Sequence, residues 1–233
     1  MGEIQQNIDQ IQERIAAAAQ KSGRKKEDIL LLAVSKTIDA ARIKEAVQYG
    51  LKELGENKVQ EILQKYEPLG KDVKWHFIGH LQTNKVKYII DKVTLIHSVE
   101  SLKLAEEINK RAKQINKVMD ILIEVNMEGE QSKFGVPPKE ALSLIQKIAP
   151  LDSVRIRGLM TVAPFVENSE ENRECFRRMR QLLVDINQEK IDNVCMDILS
   201  MGMSNDFEVA IEEGATIVRV GTSIFGKRIY PQK

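Results

Sequence analysis

"ILLLAVSKTIDAARIKEAVQYG" (29–50) holds one strand-and-helix unit, and the recurrence of that unit along the chain decides the fold. The aliphatic run 29–34 has the continuous apolar character of a strand covered on both faces. Residues 38–50 place Ala41, Ile43, Ala46 and Val47 on one helical stripe and end at Gly50, a good C-cap residue. Between the two stand Ser35, Lys36 and Thr37. A lysine is costly to bury unless it is paired or deprotonated. On this stretch alone, Lys36 marks where the strand meets water.

The same alternation continues outward. Strand-like runs fall at 29–35, 52–56, 73–79, 94–99, 118–126, 154–162, 195–202 and 216–221. The run at 52–56 is weak and rests on its place in the rhythm. Amphipathic helical patterns cover 57–66, 101–114, 139–149, 168–189 and 206–214, and one more, 3–21, precedes the first strand. Eight strand candidates alternating with helices predict an α/β fold, a single (β/α)8 barrel with an extra N-terminal helix and one domain over 1–233. A typical barrel of about 250 residues would use the whole chain. An open doubly wound sheet is the competing fold, and no Gly-rich dinucleotide fingerprint follows the first strand.

Composition sets limits on function. The chain has 233 residues, 42% hydrophobic and 30% charged, as ordinary globular proteins do. With 35 basic and 34 acidic residues its formal net charge is +1, and nothing in that balance calls for nucleic acid or an anionic membrane. No apolar run approaches the ~20 residues of a membrane-spanning helix, and the start of the chain lacks the pattern of a secretory signal. Cys175 and Cys195 have no metal-ligand spacing, and Cys195 reads as core. A reduced, cytoplasmic protein is expected.

Active sites of such barrels lie at the C-terminal ends of the strands. Collected there are Lys36, Glu56, Asn57, Gly79, His80, His97, Ser98, Asn126, Met160, Thr161, Ser200, Gly202, Arg219, Gly221 and Thr222. Glu56 is the only acid among them. "SMGMS" (200–204) and "RVGTSIFG" (219–226) end the last two strands, where barrels often bind a phosphate group. Small residues let backbone N–H groups approach an anion, and "GTSIFG" fits a short helix beginning near Thr222. A lysine facing such a site across the barrel mouth suggests pyridoxal phosphate. Partial desolvation and nearby cations would favour the neutral amine that reacts with an aldehyde. Arg219 would point inward and meet the pyridine nitrogen.

Seven motifs together resemble one family. They are "AVSKT", "GENKVQE", "WHFIGHLQTNK", "HSVES", the run around "EQSKFG", "RGLMT" and "LSMGMSNDFEVAIEEGATIVRVGTSIFG", in order over nearly the whole chain. The chain is similar to the pyridoxal-phosphate-binding homeostasis proteins, whose single barrel resembles the barrel domain of alanine racemase. The resemblance implies Lys36 as the Schiff-base lysine. It places Ser200, Gly221 and Thr222 on the phosphate, with Gly202 shaping the turn and Arg219 at the pyridine nitrogen. Asn57, His80 and Met160 would lie around the ring.

Physical chemistry adds a limit. An arginine at the ring nitrogen keeps that nitrogen unprotonated and weakens carbanion chemistry. Racemisation needs an acid/base on each face of the substrate carbon. Alanine racemases take their second base, a tyrosine, from an additional β-domain, for which a chain ending at Lys233 is expected to have no room. Tyr49, Tyr66, Tyr88 and Tyr230 do not follow strand ends. The favoured reading is a non-catalytic or barely catalytic carrier that buffers pyridoxal 5′-phosphate and supplies it to other proteins, apo-enzymes among them. The alternatives are a pyridoxal-phosphate-dependent amino-acid racemase, with His80 or water as second base, and a regulatory protein whose partner reads the cofactor state. A monomer is expected. His76, Glu124, Asp197 and Trp75, all within strand candidates, read as structural, and His97 stands between site and core.

Overall fold

The computed structural model describes residues 2–130 and 132–226, so Tyr230 lies outside the described residues. Eight parallel strands close into a barrel in chain order, with β1 pairing β8. The strands are β1 Leu30–Val34, β2 Glu53–Glu56, β3 Lys74–Phe77, β4 Val93–Val99, β5 Met119–Glu124, β6 Val154–Met160, β7 Val194–Met203 and β8 Ile217–Val220. All eight expected strands are present, including the weak second one. Each lies between a helix layer and the barrel lumen, which is why most read as unbroken aliphatic runs.

Helices α1 Glu3–Lys21, α2 Ala40–Gln48, α3 Val59–Leu69, α4 Leu102–Gln114, α5 Pro138–Ile148, α6 Arg173–Gln188, α7 Phe207–Glu212 and α8 Thr222–Phe225 surround the barrel. Asp39 caps α2 by accepting from the Arg42 amide, and Ser101 caps α4 by accepting from the Leu104 amide. The additional helix α1 buries Ile4, Ile8, Ile11 and Ile15, spaced four, three and four residues apart, and packs on α7 and α8. Its Asn7 side chain donates to the Ile224 carbonyl at 3.0 Å, tying it to the end of the barrel's last unit.

Two expectations need correction. The connection from β3 to β4 carries a short 3-10 helix, Thr83–Tyr88, in place of an α-helix. Cys195 is exposed and Cys175 is the buried thiol. The strand β7 is irregular here: Ile156 pairs with Val194 and Gly158 with Ile198, so two residues of β7 are unmatched, and Cys195 lies exposed beside the buried Met196. Asp197 on the same stretch is exposed and pairs with Arg157.

The lumen is layered. Leu32, Leu95, Leu122, Met160 and Ile217 form a compact apolar cluster of their own, apart from the core between strands and helices. By strand alternation, Asp120 lies one step below Leu122 and Glu124 one step above it. Asp120 accepts from Arg155 at 2.7 Å and from Arg157 at 3.0 Å, and Arg157 also binds Asp197. This ionic group closes the N-terminal end of the lumen near β5 to β7. The C-terminal end stays open.

Candidate functional site

The open end of the barrel holds a cavity of about 280 Å³. Its walls come from the ends of β1, β2, β3 and β8 and from the loops after β6 and β7. Lys36 follows β1 and is half-buried in the lining. It is held there by its neighbours. The Ser35 amide donates to the Gly55 carbonyl at 3.1 Å, and the Thr37 amide donates to Glu61 Oε2 at 2.6 Å. Thr37 takes a left-handed φ of 65°, which turns the chain sharply past the lysine.

Beneath this turn lies a buried ionic cluster. Lys65 Nζ, on α3, donates to Glu56 Oε1 at 2.7 Å, Glu61 Oε2 at 2.9 Å and the Ser35 carbonyl at 2.8 Å. The Ser35 hydroxyl also donates to Glu56 Oε1. Glu56 therefore points outward into the layer between β2 and α3, away from the cavity where its strand-end position suggested it. Burial raises its carboxyl above the ordinary range, and the nearby Lys65 opposes that. Glu61 is lowered, its own burial being outweighed by hydrogen bonds from Lys65 and the Thr37 amide.

On the adjoining wall, β8 presents Arg219, which is buried. Its register partner on β1 is Leu32, so lysine and guanidinium come from adjacent strands. Arg219 Nη1 donates to Ser200 Oγ and Nη2 to the Thr161 carbonyl, both at 2.8 Å. Burial lowers it to about 10, with the charges of Glu124 and Asp206 opposing, so it stays cationic at neutral pH. Gly221 and Thr222 complete this wall, and Ser204 Oγ accepts from the Gly221 amide at 3.3 Å. Asn57 also lines the cavity, and its Oδ1 is buried with no hydrogen-bond partner. A buried acceptor of that kind is costly unless a donor reaches it.

Lys36, Asn57, Arg219, Gly221 and Thr222 are thus brought together. The other four residues that the family resemblance implies lie off the lining. Met160 is fully buried in the lumen cluster, one step below Val162, which does line the cavity. Ser200 sits under Arg219 as its hydrogen-bond acceptor. Gly202 has φ 88°, and a Cβ there would come within 2.6 Å of Ala210 Cβ and 2.9 Å of Phe207 Cα, so its bare backbone serves the packing of α7. His80 is displaced to the side, paired with Glu100 at 3.1 Å and stacked on Phe134 with centroids 4.0 Å apart.

Sequence reading missed Ser204, Ile78 and the loop 162–166. Phe165 in that loop lines the cavity yet is 88% exposed. Its flanks are pinned: Asn172 donates to the Pro164 carbonyl and Asn205 to the Val166 carbonyl. Among the described residues, Asp206 is the one carboxylate of the lining, and both oxygens are committed, Oδ1 to the Met203 amide and Oδ2 to Asn172.

Glu124 stands near this wall, buried on the inward face of β5. Burial raises it to about 7; Glu100 adds to the rise and Arg219 opposes it. A folded value above the unfolded one means that the folded state binds the proton more tightly. The resulting stabilisation is present below about pH 4.5 and is lost as pH rises through 7. Glu124→Gln should flatten that dependence. Urea unfolding at pH 5 and pH 8 should show the variant gaining up to about 3 kcal/mol at the higher pH only.

The residues present fit pyridoxal phosphate. An amine, a cationic guanidinium, two hydroxyls, backbone N–H groups near Gly221 and an orphaned acceptor surround one cavity. Comparison with known proteins points the same way. Residues 6–229 match the family described as alanine racemase, N-terminal domain. The pyridoxal phosphate homeostasis protein of Aquifex aeolicus is 50% identical over 226 residues, covering 97% of this chain and 98% of that one. A crystal structure from Bifidobacterium adolescentis superposes with a TM-score of 0.91 at 37% identity, covering 96% of this chain and 94% of that one. PipY of Synechococcus elongatus, solved with pyridoxal phosphate bound, superposes with a TM-score of 0.81 at 34% identity, covering 93% of this chain and all of that one. With its lysine and guanidinium on adjacent strands of a closed barrel, this chain belongs to the pyridoxal phosphate homeostasis protein family.

Proposed function

We propose that this protein holds pyridoxal 5′-phosphate reversibly through Lys36 and serves its homeostasis, with little or no turnover. The observation that carries the reading is the facing pair in one open cavity: Lys36 after β1 and Arg219 on β8. Pyridoxal phosphate supplies an aldehyde that condenses with an amine, losing one water, and a conjugated ring that colours the product. Lys36 offers the amine. Arg219 can only donate hydrogen bonds, so a ring nitrogen beside it acts as acceptor and stays unprotonated. Ser204, Thr222 and the N–H groups near Gly221 offer neutral donors for the phosphate. Asn57 Oδ1 offers an acceptor for a hydroxyl.

The same geometry disfavours the racemase reading. Stereoinversion needs a second proton carrier opposite the lysine. Among the described residues, the lining contains no histidine, cysteine or tyrosine, and the oxygens of Asp206 are already committed. His80, the candidate second base, is held aside by Glu100 and Phe134. A cavity open at one end suits a carrier, because bound cofactor can leave for an apo-enzyme. No helix among the described residues is long and apolar enough to cross a membrane. We take the carrier to act as a single-domain cytoplasmic monomer.

The test is a visible spectrum of the purified protein incubated with pyridoxal phosphate, followed by borohydride reduction and peptide mapping. A yellow protein with the label on Lys36 is expected. A colourless, unlabelled protein would overturn the site.

A further inference from the structure

A continuous row of side chains crosses the lumen from Arg219 to the opposite end of the barrel. Arg219 Nη1 meets Ser200 Oγ at 2.8 Å, and Ser200 Oγ meets His97 Nδ1 at 2.9 Å. His97 Nε2 meets His76 Nδ1 at 2.9 Å, and His76 Nε2 meets Glu53 Oε2 at 2.9 Å. Glu53 is the first residue of β2, with a partly exposed side chain that also binds Lys74 at 2.9 Å. The two histidine rings are tilted by 57° with centroids 5.2 Å apart, a geometry of edge-to-edge bonding rather than stacking.

The ends of the row fix its direction. A guanidinium only donates and a carboxylate only accepts. His76 must therefore donate from Nε2 to Glu53, so a neutral His76 offers Nδ1 as an acceptor. His97 then donates from Nε2 and accepts at Nδ1, and the Ser200 hydroxyl donates to it. Every hydrogen points from Arg219 toward Glu53, and every group is satisfied. Protonating His76 at Nδ1 reverses two links: His97 must accept at Nε2 and donate from Nδ1, and Ser200 Oγ then receives two donors. A proton gained at the base is in this way reported beside Arg219 without any backbone movement.

We propose that Glu53, His76 and His97 are positioning residues for Arg219, a directional chain that sets the hydrogen bonding of the guanidinium from the closed end of the barrel. The functional half of this inference rests on the cofactor reading of the cavity. His97 is fully buried, and burial, His76 and Arg219 together hold its imidazole well below the usual range, so it stays neutral and acts only by tautomer. The charged and titratable groups facing the row are Lys74 beside Glu53, and Glu124 and Asp206 beside Arg219.

The test begins without cofactor. Protein labelled with 15N-histidine contains three histidines, and His80→Gln identifies the signals of the third. At pH 8, where an imidazole is ordinarily neutral, His76 and His97 should each show a protonated Nε2 and a bare Nδ1. Glu53→Leu, at the partly exposed base, should move the His97 Nδ1 resonance toward the protonated type. It should also raise the Kd for pyridoxal phosphate roughly threefold to tenfold. Lys74→Met should change neither. A His97 protonated on Nδ1 in the unaltered protein, or a resonance indifferent to Glu53→Leu, would overturn the chain. An unaltered Kd in Glu53→Leu, with the resonance shifted, would overturn its action on the site. Expected resonances in a protein that never binds pyridoxal phosphate would support the directional chain and overturn the cofactor reading alone.

Discussion

Lys36→Ala should give a colourless protein that borohydride cannot label, while keeping the fold and a residual affinity for pyridoxal phosphate. Lys36 is half-buried at the cavity wall, and the turn that carries it is held by hydrogen bonds of Ser35 and Thr37. The Thr37 amide still reaches Glu61 and the Ser35 carbonyl still receives Lys65, so the turn survives. Arg219 and the hydroxyls opposite remain to hold the ring nitrogen and the phosphate. The variant should still unfold in a single cooperative urea transition. Absorbance and reductive labelling read the loss of attachment, and equilibrium dialysis reads the remaining affinity. A variant that keeps the visible band would remove Lys36 from its assigned role.

Lys65→Met should cost far more stability although it touches no ligand. It removes the cation that neutralises Glu56, a fully buried carboxylate whose Oε2 already lacks a hydrogen-bond partner. Breaking a buried pair from one side typically costs about 3–5 kcal/mol, because the stranded charge must be desolvated or neutralised. Glu56 is already raised by burial, and losing Lys65 raises it further. The variant should therefore be least impaired at low pH, where Glu56 is protonated, and progressively worse as pH rises through the elevated value. The double variant Lys65→Met/Glu56→Met should recover most of the loss. Urea unfolding at several pH values distinguishes these outcomes. A Lys65→Met protein as stable as the parent at pH 8 would show that the cluster is not the anchor of the lysine-bearing turn.

The barrel was legible because parallel strands buried on both sides must be aliphatic throughout. "ILLLAV" and "DILIEV" leave little else for those residues to form. Even "KELGE" is a strand, since the closed sheet needs a partner between β1 and β3. The third crossover was less legible because a 3-10 turn needs no amphipathic stripe. The site was legible where a strand ends cleanly, at Lys36 and Arg219. It blurred along β7, which runs to Met203 and shifts register between Ser200 and Met203, so the loop residues Ser204 and Asp206 reach the cavity while Ser200 lies beneath it. Glu56 shows the limit of counting by twos: a strand-end acid can serve the helix layer as readily as the mouth. The polar row through His97 could not be read at all, since its members lie on five strands and their contact follows only from closure.

That closure has a thermodynamic consequence. Lys36 and Arg219 belong to the first and last strands, and they become neighbours only when β1 zips onto β8. Contacts so distant in sequence form late and carry a large loop-closure cost. Any chain lacking β8, or with that seam parted, has half a cavity and no facing pair. Cofactor therefore binds the native state alone and shifts the unfolding equilibrium by mass action. Each tenfold rise in free ligand above Kd adds about 1.4 kcal/mol to apparent stability. The loaded and empty forms differ in how often the seam parts, so amide exchange across β1 and β8 slows with occupancy.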